Sequence, residues 1–256
     1  MTKIVSSWID NGILLVKMQS SPVNAMTAEL GEALKEIIPE IRDSNARAVI
    51  ITGTGKHFSA GGDISRFTQM HSLEDAEKFV TDVQRMFDEI AALPMPVIAA
   101  INGTALGGGL ELALACDIRI AGKKASMGLP ETRWGILAGA GGTQRLIRTI
   151  SVGAAKKMMF SAQPVDAVEA LRIGLVEQVT EDDDPLDEAL ELARTIAANS
   201  PRAIRNVKCS VNEGYDLPLT EGLAIERKLW ADLIPHGDHI EGAKSFFERR
   251  PAVYPD

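Results

Sequence analysis

Asn102-Gly103-Thr104-Ala105-Leu106-Gly107-Gly108-Gly109-Leu110-Glu111 joins an apolar strand-like segment, Val97 to Ile101, to an apolar helix over Gly109 to Cys116. Its glycines let main-chain N–H groups face a ligand with no side chain in the way, and the carboxylate of Glu111 begins the helix. A second glycine turn, Phe58-Ser59-Ala60-Gly61-Gly62-Asp63, lies upstream, and a second glutamate, Glu131, follows Gly128-Leu129-Pro130. Both glycine loops follow a strand pattern and precede a helical one. That context suits an oxyanion site flanked by carboxylates for acid and base work. The spacing of Gly107, Gly108 and Gly109, which lead to Leu112, does not fit G-x-G-x-x-G and excludes a dinucleotide fingerprint.

Outward from this stretch, Ala48 to Thr52 reads as a β-branched strand, with an amphipathic helix from Leu73 to Leu93 between it and Val97 to Ile101. Strand, helix, strand implies a parallel crossover. A third strand, Ile118 to Ala121, follows the central helix. At the N-terminus, Ile4 to Asp10 and Ile13 to Met18 read as a hairpin around Asn11-Gly12, a pair that tolerates positive φ. Thr27 caps the next helix, where Leu30, Leu34, Ile37, Ile38 and Ile41 recur at helical spacing; Pro39 is expected to kink it or break it in two. Helices follow near Gly142 to Ile150, Gly153 to Phe160, Ala167 to Ile173 and Leu186 to Ala198, with a short strand at Val176 to Val179. After Asn199-Ser200-Pro201 only helices remain, over Arg202 to Glu213, Leu219 to Leu233 and His239 to Arg249, so a boundary is placed near 200. The fold class is α/β, with residues 1–200 as the α/β part and 201–256 as a helical C-terminal part.

The chain has 256 residues and 45% hydrophobic content, ordinary values for one globular domain with an appendage. No signal region and no apolar run of the ~20 residues needed to span a bilayer is evident, which predicts a cytoplasmic protein with no membrane partner. Cys116 and Cys209 show no C-x-x-C spacing, so neither a zinc site nor a disulfide framework is implied. A net charge of −8 argues against nucleic-acid binding, which needs clustered Lys and Arg. It does not veto an anionic ligand: distant charges are screened beyond ~8 Å, but such a ligand needs a local basic patch.

Three motifs together resemble the crotonase family, the enoyl-CoA hydratases and isomerases: Phe58 to Asp63, Asn102 to Asp117, and Gly128 to Glu131 running on to Gly139-Ala140-Gly141-Gly142-Thr143-Gln144-Arg145-Leu146. They stand in family order at family-like spacing, and the likeness covers essentially the whole chain. The resemblance implies a crotonase-like spiral of ββα units for residues 1–200. For 201–256 it implies a helical region that covers the active site and builds trimers, which pair into hexamers. The implied ligand is an acyl-CoA thioester, with coenzyme A entering as part of the substrate and no metal or redox cofactor.

The implied oxyanion donors are the N–H groups of Ala60 and Gly108, and the implied catalytic groups are Glu111, which activates water, and Glu131, which supplies the α-proton. Both being glutamate favours hydration over a double-bond shift. Glu111 is flanked by apolar residues on every side and is expected to be buried, whereas Pro130, Thr132 and Arg133 would suit an exposed loop at Glu131. Ala25 matches a family segment that contacts coenzyme A by main chain, and Ala60, Gly61, Gly62, Asp63 and Gly108 belong to the implied substrate site. Asp63 is read first as a cap or loop holder. Trp230 and Arg249 match positions that approach coenzyme A from a neighbouring subunit. Trp134, close to Glu131, is expected to line the acyl pocket, and Ala138 stands where many relatives have proline. His57 with Ser59 lacks an orienting third group and is not read as a nucleophile pair; Cys116 reads as packed core. His236, Asp238 and His239 read as a solvated helix start. The alternatives are an isomerase of the same fold, a polyketide or aromatic-degradation crotonase, and a non-catalytic CoA-binding protein.

Overall fold

The computed structural model describes residues 3–8 and 10–255. In chain order, β1 (Lys3–Trp8) and β2 (Ile13–Gln19) are followed by α1 (Ala28–Arg42), β3 (Ala48–Gly53), β4 (His57–Ser59) and α2 (Leu73–Ala91). Then come β5 (Val97–Ile101), β6 (Thr104–Leu106), α3 (Gly108–Ala115), β7 (Ile118–Ala121), β8 (Ser126–Gly128), α4 (Gly142–Thr149) and α5 (Val152–Ser161). The chain continues through β9 (Val165–Asp166), α6 (Ala167–Arg172), β10 (Gln178–Val179), α7 (Leu186–Ala197), α8 (Pro201–Gly214), α9 (Leu219–Leu233) and α10 (Asp238–Glu248).

Two sheets organise the chain, one in the order β1-β2-β3-β5-β7-β10 and a smaller one in the order β4-β6-β8-β9. The hairpin at Asn11 (φ 58) and Gly12 (φ 76) makes β1 and β2 antiparallel, while β2, β3, β5, β7 and β10 run parallel. Successive pairs β3/β4, β5/β6 and β7/β8 each place their first strand in the large sheet and their second in the small one. Each pair is a turn of the α/β spiral.

Side chains alternate along the large sheet, and both of its faces are covered. Val49, Ile51, Val97, Ala99 and Ile101 face a core shared with α1, α2 and α3, while Ala48, Ile50, Ile98, Ala100 and Ile120 face Ala189, Ala193 and Ala197 of α7. The two-sided burial explains why these strands read as continuous apolar runs. α3 has no polar face: every residue from Gly109 to Ala115 is buried, Glu111 included.

Pro39 does not divide α1, which runs unbroken from Ala28 to Arg42. Proline removes one main-chain donor, but Leu30, Leu34, Ile38 and Ile41 anchor the helix to the core on both sides of it. The C-terminal helices are tied to the α/β part by Lys208, which donates to Asp117 Oδ2 at 2.7 Å and to Met95 O at 3.0 Å. Asp238 is not a solvated group. It is buried and accepts from Ser200 Oγ at 2.5 Å and from Arg202 at 3.1 Å, locking the start of α10 to the start of α8.

Candidate active site

Glu111, Glu131, Gly61, Gly62, Gly107, Gly108 and Trp134 all line one cavity of about 1170 Å³. Its far wall comes from the segment after β4 and the first half of α2, including Phe67, Met70, Phe79, Val80 and Val83. Phe67 and Phe79 meet edge to face, and the Arg66 guanidinium lies 4.8 Å over the Phe79 ring. Sequence reasoning did not find this wall.

The two glycine loops meet because β4 and β6 are neighbours in the small sheet. Ala60, expected to be a donor, is corrected here: its N–H is already spent on Val23 O at 3.0 Å. Gly61 N–H donates to Ser59 Oγ at 3.4 Å and Gly107 N–H to Gly128 O at 2.9 Å. Among the described residues, the N–H groups of Gly62 and Gly108 meet no protein acceptor. They are close neighbours, since a Cβ built on Gly108 would lie 3.8 Å from Gly62 N. Gly62 and Gly108 therefore offer two neighbouring unspent donors, one from each loop. A sequence shows neither which N–H of a loop is consumed locally nor by what.

Glu111 is 4% exposed, and its Oε1 accepts from Gly142 N–H at 2.8 Å. Burial first and the nearby Glu131 second push its carboxyl up to about 7, against the opposing pull of the Gly142 and Ala140 main-chain donors and of Arg145. Glu131 opens a short helical turn, Glu131–Trp134, and is half-buried instead of solvated. Its Oε2 is buried without a partner, and burial raises its carboxyl also. Gly107 (φ +50) explains the closeness: a Cβ there would lie 2.6 Å from Glu131 Oε1. Gly107 thus leaves room for the second carboxylate.

Asp63 accepts from Ser65 N–H at 3.0 Å and Ser65 Oγ at 2.6 Å, and so caps the turn that follows. Ala25 accepts from Thr27 N–H at 2.8 Å; its neighbours Met26 and Thr27 line the cavity, and Ala25 does not. Trp134 is on the cavity wall and 51% exposed. Trp230 and Arg249 are exposed and lie outside the cavity of the single chain. The lining mixes Lys35, Arg66 and Lys78 with Glu32, Asp75, Glu77 and Asp82, so it forms no uniform basic patch. Ser59 is buried on β4 and Cys116 donates its thiol to Leu112 O at 3.4 Å, with burial pushing that thiol up to about 12. Such a thiol is inert as a nucleophile.

A sequence-family model described as enoyl-CoA hydratase/isomerase matches residues 8–256. The chain belongs to the enoyl-CoA hydratase/isomerase family. It is similar to the Bacillus subtilis protein YngF, 49% identical over 94% of this chain and 93% of the relative. It is 42% identical to the mitochondrial methylglutaconyl-CoA hydratase of Mus musculus over 90% of this chain and 75% of that one. The crystal structure of an enoyl-CoA hydratase from Bacillus anthracis superposes with a TM-score of 0.93 at 39% identity, covering 98% of each chain. The family's fold is this α/β spiral. No described helix is long and apolar enough to cross a membrane.

Proposed function

We propose that this family member is an enoyl-CoA hydratase, adding water across the 2,3 double bond of an acyl-CoA thioester. The observation that carries the proposal is the meeting, in one cavity, of two buried-side carboxyls with raised pKa and two unspent main-chain donors. The thioester oxygen accepts from Gly62 and Gly108, whose donors act more strongly as negative charge builds there in the transition state. Glu111 acts as the base because its Oε1 already accepts from Gly142, a bond that favours the ionised form. Glu131, with an unpartnered buried oxygen, carries the proton destined for the α-carbon.

Water's oxygen bonds to the β-carbon while Glu111 takes its proton, and the π electrons move to the thioester oxygen as an enolate. The enolate then collapses as its α-carbon takes the proton from Glu131. These residues complete the step with no metal or redox group. Incubation with a panel of enoyl-CoA esters tests the proposal, following loss of the conjugated absorbance and identifying products by mass. A gain of water supports it; a product isomeric with the substrate would assign the chain to the isomerase branch, and tight binding without turnover would make it a CoA-binding protein.

Trp134 closes the acyl end of the cavity in this proposal. Trp134→Ala is expected to raise turnover of C10 relative to C4 enoyl-CoA, because removing a bulky wall lengthens the pocket. An unchanged ratio would remove Trp134 from substrate choice. The proposal extends to assembly as a trimer or hexamer: Val207, Leu219, Trp230, Phe246 and Phe247 are exposed on the C-terminal helices, more apolar surface than a monomer retains without purpose. Light scattering should give the mass of three or six chains, and a monomer would contradict this.

A further inference from the structure

The segment from Ala138 to Gly142 has an inward and an outward side. Inward, Gly142 N–H reaches Glu111 Oε1 at 2.8 Å, and the Ala140 main chain also faces that carboxyl. Outward, two carbonyls accept from side chains of α2 and α4, and the next one starts the main-chain ladder of α4. Gln84 of α2 donates to Gly139 O at 2.7 Å, Arg145 of α4 donates its guanidinium to Ala140 O at 3.2 Å, and Arg145 N–H donates to Gly141 O at 2.8 Å. The guanidinium curls back over Gly141 (φ +103), where a Cβ would lie 2.1 Å from Nη1, and its other arm pairs with Asp88 of α2. Asp88 has 69% of its side chain exposed and Arg145 21%, so neither is needed to fill the core.

We infer that Gln84 and the Asp88–Arg145 pair are positioning residues that hold the 138–142 segment against Glu111 and so control proton transfer at that carboxylate. Position has to be maintained by something, because the segment carries three glycines, Gly139, Gly141 (φ +103) and Gly142, and only the small side chains of Ala138 and Ala140 pack it against the core. Gln84 from α2 and the Arg145 guanidinium from α4, itself held by Asp88 of α2, supply two fixed points. The charged groups that face Glu111 are Glu131 and Arg145, and Asp88 faces Arg145. The role assigned to these residues rests on Glu111 being the base of the proposed hydration.

The test uses Gln84→Ala, Asp88→Asn and the double variant in the full-length protein. Two readouts are required: a carbon-13 carboxyl titration of Glu111, and the pH dependence of kcat and KM with crotonyl-CoA. Loosening the segment weakens the main-chain donors to the carboxylate, so the Glu111 midpoint should rise by about half a pH unit or more in each variant. The acid limb of kcat should move up with it. Turnover should fall about tenfold with KM changed less than about twofold, a fraction of what a 1 Å misplacement costs. Asp88→Glu should restore both. A field effect alone predicts the opposite sign for Asp88→Asn, since losing a negative charge pulls the Glu111 midpoint down. Gln84→Ala changes no charge, so its effect on the Glu111 midpoint carries no field contribution. A midpoint that is unmoved or lowered, with the parent active, overturns the inference. An inactive parent would instead overturn the hydratase proposal, and the titration would still judge the positioning role.

Discussion

Glu111→Gln should abolish hydration while making the protein more stable at pH 8. Loss of the proposed base is expected to cost on the order of 10³ in kcat, the middle of the range for a positioned acid or base. The amide keeps an oxygen that accepts from Gly142, so the loop survives the change. Stability moves the other way for a reason of linkage. The Glu111 carboxyl lies at about 7 in the folded chain against an ordinary 4.5, and so binds a proton more tightly folded than unfolded. Its contribution to stability is full below about pH 4.5 and is lost as pH rises through about 7. That difference corresponds to about 3 kcal/mol, the part of folding free energy given up to keep a buried carboxylate ionised. Urea denaturation of parent and variant at pH 5 and pH 8 measures it. Expected is a variant that gains on its parent between the two pH values; parallel behaviour would mean that Glu111 is not desolvated as its 4% exposure requires. An isomerase working through Glu131 alone would keep a substantial part of its activity in the same variant.

The opposing demands on Glu111 show what a sequence can and cannot display. Apolar residues on every side of Glu111 made its burial legible, because α3 has no polar face at all. Burial of Glu131 was not legible from its own neighbours. It comes from Gly107, a residue of another loop, whose missing Cβ leaves room for the carboxylate. The large-sheet strands were legible as apolar runs, since both of their faces are covered. Strands β4, β6, β8 and β9 have two or three residues each, too few for a period to be visible, and their existence was implied only by family resemblance. The same limit produced the error at Ala60. Both Ala60 and Gly62 stand on a glycine turn, and only the position of Val23 O decides which N–H stays available. The cavity wall on α2 read only as an amphipathic crossover helix: Met86, Phe87 and Ile90 of it are buried, and nothing in its sequence shows that its first half faces the cavity.

Gly109→Ala should be strongly disruptive, and the adjacent Gly108→Ala mild for stability. A Cβ on Gly109 would lie 2.3 Å from Ser59 O and 2.8 Å from Ser59 Cβ, so α3 and β4 would have to separate. Ser59 O belongs to a strand backbone and cannot rotate away, unlike the end of a flexible side chain. A Cβ on Gly108 meets Met26 Cγ at 3.5 Å, an ordinary contact. The expected cost of Gly109→Ala is about 3 kcal/mol or more, at or above the top of the usual overpacking range, against less than about 1 kcal/mol for its neighbour. Function should suffer beyond stability. Gly109 adjoins Gly108, and Ser59 lies three residues before Gly62, so the distance forced open is the one that sets the separation of the two donors. The folded fraction of Gly109→Ala should therefore hydrate poorly even at low temperature, where its fold is intact by circular dichroism. Chemical denaturation midpoints for the two variants, with kcat measured on each folded state, check both halves. If Gly109→Ala were as stable and as active as the parent, the close approach of α3 to β4 would not be what holds Gly62 and Gly108 together.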